Sequence, residues 1–395
     1  MNPVALRLLN QQLIAPQFND PAEVVSHMGA MQAQEYRLMR WAVEMRTKKP
    51  SAAKFKTAFD SGRIIRLHLM RGTWQILAAE DYWPFLELCA PKAISVIKGW
   101  MSSNKITIPD DEYVSIRELL MHTAELKGSA TKEDFAEALT ERNITMDDHR
   151  LSYHIRMAEI TGVLCSGNLL SMKTATKREQ NPSEVGSADR KQPRMQFKAT
   201  YALTAVKIGP RPTHFDRDEA LMRFTHKYFR SHQPATFEDF VWWSGLNISD
   251  CRRGIELLGD YLHVERLRVG DESKSQSKAM RSNGRDFYLT NDCRTRGFRK
   301  GHYLLIPPYD EYLIGYKSRD IVLPPEHRHH AHNNSGIFKP IIAHDGIVCG
   351  NWRPFTDECQ MDFFLGEHNT DLREEWAKYK RFLKSNKRYI NHNDL

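Results

Sequence analysis

Two carboxamides one residue apart, Gln32 and Gln34 in the stretch Met31-Gln32-Ala33-Gln34-Glu35-Tyr36, are the side chains whose type and spacing point to chemistry. A primary amide does not titrate near neutrality, so neither glutamine can be a general base. Each can donate and accept hydrogen bonds, and a pair can hold a water molecule. Such a site acts only on a substrate already activated for departure of its leaving group. An N7-alkylated purine nucleotide meets that condition: its base is cationic and leaves without a protonating acid, so the glycosidic carbon needs only a positioned water and some charge stabilisation. Glu35 and Glu44 are the carboxylates near enough in sequence to assist. The competing role for Gln32 and Gln34 is to cap helix ends.

The spacing also constrains the backbone. Positions i and i+2 of an α-helix point about 200° apart, whereas in an extended or turn segment they share a face, so both amides reach one target only where helicity is broken. Gly29 supplies a break. VVSHM reads as the end of one helix and YRLMRWAVEMR as the next, apolar at Leu38, Trp41, Ala42 and Met45, which places Gln-Ala-Gln in a turn like the hinge of a helix-turn-helix. Around this pair the pattern predicts a helix over residues 2–13, a helix capped by Asp20 with Pro21 at its first position, and a helix that begins after Ser51 and ends at Gly62. IIRLHLMRGTWQILA then alternates β-branched and aromatic residues about Arg71-Gly72, as two strands joined by a tight turn do. Arg66, His68, Arg71, Thr73 and Trp74 form a second constellation on this hairpin: cations and a hydroxyl for phosphate contact, and an indole for stacking on a base. The alternative is a hairpin whose Trp74 is core and whose arginines are solvated.

Further along, the chain repeats itself. Ala130-Thr131-Lys132-Glu133-Asp134-Phe135 and Ala235-Thr236-Phe237-Glu238-Asp239-Phe240 share A-T-x-E-D-F. Each enters a helix through a capping threonine and is followed by a second amphipathic helix and strand-like segments. Helix, turn, helix and hairpin in succession is the sequence pattern of a winged helix, and its recurrence predicts tandem copies. Two polar tracts rich in Lys, Arg, Ser and Asn, 173–196 and 270–285, interrupt the later hairpins and read as flexible insertions. From about His302 the texture becomes strand-like, broken by Pro and by a turn at Asp345-Gly346, and closes with the helix LREEWAKYKRFLKSN. The division predicted is 1–108, 109–212 and 213–300 for three winged helices, and 301–395 for a β-rich C-terminal part.

At 395 residues the chain exceeds one ordinary core, and its net charge of +8 with pI near 9.0 suits a polyanionic partner without requiring one. No apolar run is long enough to cross a membrane and the N-terminus lacks signal-peptide order, so a cytoplasmic location is expected. The six cysteines are scattered without zinc-site spacing, and the histidines at His327, His329, His330 and His332 lack carboxylates at helical spacing, so they read as a solvated loop.

Taken together, MGAMQAQEYRLMRWAVEMR, RLHLMRGTWQILAAED, LLIPPYDEYLIGYKSRD and GIFKPIIAHDGIVCGNWR resemble, in order and across nearly the whole chain, the bacterial winged-helix DNA glycosylases of the AlkZ type, which unhook interstrand crosslinks. The resemblance implies an α+β fold of three tandem winged helices around a concave basic surface, a monomer acting on double-stranded DNA that contains alkylated bases, and no metal or cofactor. It implies that Gln32 and Gln34 are catalytic, positioning the hydrolytic water that excises N7-alkylated guanine. A sister branch carries Asp at the second motif position; Gln34 places this chain with the Gln-x-Gln branch. A non-catalytic winged-helix DNA-binding regulator is the alternative that the repeats and the charge support equally.

Overall fold

The structure, a computed structural model, describes residues 2–172, 196–268, 284–356, 358–364 and 372–387. The two polar tracts read from the sequence lie almost wholly outside the described residues. No described helix is long and apolar enough to cross a membrane.

Asn2 caps α1 (Pro3–Asn10), its side chain accepting from Val4 N at 2.9 Å. Asp20 and Glu23 form a reciprocal capping box at the start of α2 (Pro21–Met28), and Gly29, at φ 77°, ends it. The segment after Gly29 differs from the helix-turn-helix hinge expected for Gln-Ala-Gln. Met31–Gln32 form a strand, β1, on the edge of a hairpin made by β2 (Ile64–His68) and β3 (Trp74–Ala78), while helices α3 (Met39–Glu44) and α4 (Ala52–Asp60) come between. The open edge of β3 captures the segment: Met31 pairs with Ile76, Gln32 with Gln75, and Ala33 N donates to Trp74 O at 2.9 Å. β2 and β3 pair in register from Ile64–Ala78 to His68–Trp74. Their turn needs two successive left-handed residues, Arg71 (φ 55°) and Gly72 (φ 70°). The long helix α5 (Ala79–Ser103) comes next.

The same order of helix, short strand, two helices and two strands comes again. It runs through α6 (Asp110–Lys127), β4 (Ala130–Thr131), α7 (Lys132–Glu141), α8 (Asp148–Ile160), β5 (Leu164–Ser166), the pair β6 (Leu170–Met172) and β7 (Gln196–Lys198), and β8 (Thr200–Leu203), before the short α9 (Thr204–Lys207). A third time, α10 (Arg217–His232), α11 (Phe237–Ser244) and α12 (Ile248–Leu258) precede the hairpin β9 (Leu262–Arg268) and β10 (Gly284–Thr290), with an isolated bridge between Ala235 and Tyr288 in place of the short strand. The repeated A-T-x-E-D-F is a capping box in both copies: Asp134 accepts from Thr131 N at 2.7 Å, and Asp239 from Thr236 N at 3.0 Å.

The last part holds β11 (Tyr303–Ile306), α13 (Glu311–Ile314), α14 (Arg328–Ala331), β12 (Ile341–His344), β13 (Ile347–Trp352), β14 (Met361–Phe363) and α15 (Arg373–Lys387), with strand order β11-β12-β13-β14. All described sheets are antiparallel, as suits an α+β chain. The histidine tract, expected as a loop, is a 3-10 turn continuing into α14, with the His330 ring stacked on Phe364. The apolar cores do not follow the chain order. One joins Leu67, Leu77 and Tyr82 of the first segment to Phe224, Tyr228 and Trp243 of the third; another seats Leu6 and Leu8 of α1 against Ile306, Tyr312 and Val348. Burial across repeats holds the first segment fixed between the third and the C-terminal part.

Candidate active site

The extended backbone at Met31–Gln32 and the hairpin beside it put both carboxamides against consecutive residues of one turn-strand junction. Gln32 Oε1 accepts from Gln75 Nε2 at 2.7 Å and from Thr73 Oγ1 at 3.2 Å, and Gln34 Oε1 accepts from Trp74 N at 3.4 Å. Neither glutamine caps a helix: Gly29 closes α2, and the start of α3 at Leu38 has no side-chain cap. Gln32 is nearly buried while Gln34 is exposed, so the pair runs from the interior to the surface. The amide nitrogens of both have no hydrogen-bond partner among the described residues, which leaves N–H groups for a ligand or water.

Beneath Gln32 lies a carboxylate that the sequence pattern does not single out. Glu311 Oε1 accepts from Gln32 N at 2.7 Å, and Oε2 accepts from Trp243 Nε1 at 3.1 Å and lies 3.1 Å from His232 Nε2. One buried side chain at the first position of α13 thus ties β1 to α10 and α11. The signal is present in Pro-Pro-Tyr-Asp-Glu-Tyr, where Asp310 caps the helix and pairs with buried Arg46 at 2.7 Å, but linear sequence does not tell which carboxylate meets β1. Glu35 and Glu44, the carboxylates suggested as helpers, are engaged elsewhere. Glu35 pairs with Arg37 at 3.2 Å, and Glu44 accepts from Ser51 N at 2.6 Å at the start of α4. Burial pushes the Glu44 carboxyl up to about 7, against the hydrogen bonds from Ser51 and Thr47.

The hairpin constellation divides. All of β2 is buried, because β5 packs on it, so Arg66 and His68 do not form the phosphate-facing surface expected of them. Arg66 is 5% exposed; its backbone N donates to Ser166 Oγ at 2.9 Å and its Nε to Ala33 O at 3.1 Å, and its guanidinium lies 4.5 Å from the Trp74 ring centre. It therefore braces the Gln-Ala-Gln backbone. His68 is 3% exposed and bonds through Nδ1 to Glu159 of α8; burial lowers its pKa, outweighing the Glu159 carboxylate that opposes the shift. The half-buried Trp74 ring packs on His68 at 4.1 Å, and its Nε1 is buried without a partner among the described residues. Arg71 reaches the third repeat, donating from Nη1 to Trp242 O at 3.0 Å. Thr73 is the member of the set that touches Gln32.

A profile of the family described as DNA glycosylase AlkZ-like matches residues 25–376. The chain belongs to that family. Membership sets aside the non-catalytic regulator and makes the chain a DNA glycosylase. An interstrand DNA cross-link repair glycosylase from Streptomyces sahachiroi is 23% identical over 359 residues, covering 87% of this chain and 85% of that protein. The solved structure of Streptomyces sahachiroi DNA glycosylase AlkZ superposes with a TM-score of 0.68 at 20% identity over 96% of this chain and 95% of that one, which establishes a shared fold.

Proposed function

We propose that this glycosylase is monofunctional and hydrolyses the N-glycosidic bond of N7-alkylated purines in duplex DNA, with Gln32 and Gln34 holding the attacking water. The observation that supports it best is the anchoring of two non-titrating carboxamides on consecutive residues of one hairpin, with hydrogen-bonding capacity left on each among the described residues: the amide N–H groups of both and a second lone pair on Gln34 Oε1. The balance of the reaction suits such a site. The water oxygen forms a bond to C1′, the C1′–N9 bond breaks, its electron pair neutralises the cationic base, and the water's proton passes to solvent. No strong base is needed, because the leaving group carries the activation. The relative's name extends the proposal to unhooking of interstrand crosslinks.

In this reading the three recurrences are winged helices, 1–108, 109–212 and 213–300, that present duplex DNA to the first hairpin on a concave surface, in a monomeric cytoplasmic enzyme. Arg71, Thr73 and Trp74 sit nearest the DNA, while Arg66 and His68 act from within by bracing the hairpin. The test is a single-turnover assay on duplex containing N7-methylguanine, with alkaline cleavage of the abasic product. Gln32→Ala and Gln34→Ala should each lower the excision rate on the order of ten- to a thousandfold with DNA affinity nearly unchanged. Because both hold one water, the double variant should lose less than the product of the single losses. Folded single variants that excise at the parental rate would place the active site elsewhere.

A further inference from the structure

Gln75 is wholly buried directly opposite Gln32 on β3, and a carboxamide in such a place has to be oriented by its donors. Its Nε2 spends both protons, one on Gln32 Oε1 at 2.7 Å and one on Thr73 Oγ1 at 3.0 Å, while its Oε1 is buried with no partner among the described residues. Turned the other way, the Gln75 oxygen would face Gln32 Oε1 acceptor to acceptor; as it stands both amide protons are bonded, and a buried donor without an acceptor costs more than one under-used acceptor. The arrangement therefore has a direction. Gln32 Oε1 is held by Gln75, with the single Thr73 hydroxyl proton shared between it at 3.2 Å and Met70 O at 3.1 Å, and the amide nitrogen of Gln32 is the group left for anything that approaches.

We infer that Gln75 is a positioning residue that fixes the Gln32 carboxamide oxygen-inward, so that Gln32 meets the water or substrate only as a hydrogen-bond donor and acceptance from the water falls to Gln34. This rests on the proposed role of the glutamine pair. It assigns the two amides unlike tasks: Gln32 donates N–H to the water oxygen and fixes its place, and the exposed Gln34, whose only partner among the described residues is Trp74 N at a long 3.4 Å, turns its oxygen to the water's proton. A water held by two donors would have its lone pairs occupied and would be a poor nucleophile; one donor and one acceptor leave a lone pair for C1′.

The test uses Gln75→Glu and Gln75→Leu in the full-length protein, with thermal melting, DNA affinity and single-turnover excision of N7-methylguanine from pH 5.5 to 8.5, corrected for loss of the base without enzyme. The carboxylate introduced by Gln75→Glu accepts but does not donate when ionised, so it repels Gln32 Oε1 and turns the amide around. At pH 8 the folded Gln75→Glu variant should excise roughly ten- to a hundredfold more slowly at unchanged DNA affinity. On acidification the introduced carboxyl, held high by burial, takes up a proton and regains an O–H donor, so the rate should climb back along an acid limb that the parent lacks. Gln75→Leu should be slow at every pH. Parental rates in either folded variant, or a Gln75→Glu loss with no recovery in acid, overturn the inference. Should Gln32→Ala and Gln34→Ala prove inert as well, the failure is that of the site; should those two be slow and the Gln75 variants fast, it is the inference alone that fails.

Discussion

Replacing Glu311 by alanine removes the single acceptor shared by Gln32 N, Trp243 Nε1 and His232 Nε2, at 2.7, 3.1 and 3.1 Å. His232 has a way out, because its Nδ1 lies 2.8 Å from Ser231 Oγ and a change of tautomer moves its proton there. The Gln32 N–H and the indole N–H have none, and both are buried. Each stranded donor costs about 1–3 kcal/mol, partly offset because the carboxylate no longer has to be desolvated, which leaves a net loss of roughly 3 kcal/mol. Melting should fall by a few degrees. The excision rate should fall further than stability alone explains, since a shift of β1 displaces Gln32, and a displacement on the order of 1 Å at a reacting centre costs about a hundredfold. Glu311→Gln separates the two effects: its oxygen still accepts from Gln32 N, its amide nitrogen meets the Trp243 indole donor against donor while His232 changes tautomer to accept from it, and it should keep most of the rate while melting early. Calorimetry beside single-turnover excision reads both quantities. A Glu311→Ala protein that melts and excises like the parent would show that the carboxylate does not hold β1 in place.

Glu44 binds its proton more tightly folded than unfolded, so between pH 4.5 and about 7 the folded state carries the extra proton, and this group's contribution is greatest below pH 4.5 and declines by about 3 kcal/mol as the pH rises to about 7; urea titrations of the parent and Glu44→Gln should converge in acid and diverge toward neutrality, and parallel curves would show that Glu44 ionises normally. Arg71→Ala should cost about 1–2 kcal/mol for the bond to Trp242 O, whereas Arg71→Gly should regain about 1 kcal/mol of that by relieving the left-handed backbone, and equal melting temperatures would remove strain from the account. Asp239→Ala should destabilise more than Asp134→Ala by about 2 kcal/mol, because Asp239 also accepts from Lys317 N at 2.9 Å and Ser318 N at 3.1 Å; equal losses in thermal melts would mean that the two capping boxes are equivalent.

Capping and turn chemistry was legible in the chain itself, because it acts over three or four residues. Asn2, Asp20, Ser51, Thr131 and Thr236 start helices where the sequence places them, Gly29 ends one, and Arg71-Gly72 and Asp345-Gly346 turn hairpins. The requirement that Gln32 and Gln34 leave the helix was also local, since it comes from side-chain direction at i and i+2. How they leave it was not local. The turn expected at Gln-Ala-Gln became a strand because β3, more than 40 residues later, has an unpaired edge with groups that must be satisfied, and no periodicity within residues 29–36 records that edge. For the same reason the fates of Arg66 and His68 were hidden: strand alternation tells which residues share a face, but tertiary packing decides whether that face meets solvent or the Ala33 carbonyl and Glu159. Glu311 and Gln75 were beyond reach as well, the first because its partners come from three distant segments and the second because an isolated glutamine in a strand carries meaning only once register sets it opposite Gln32.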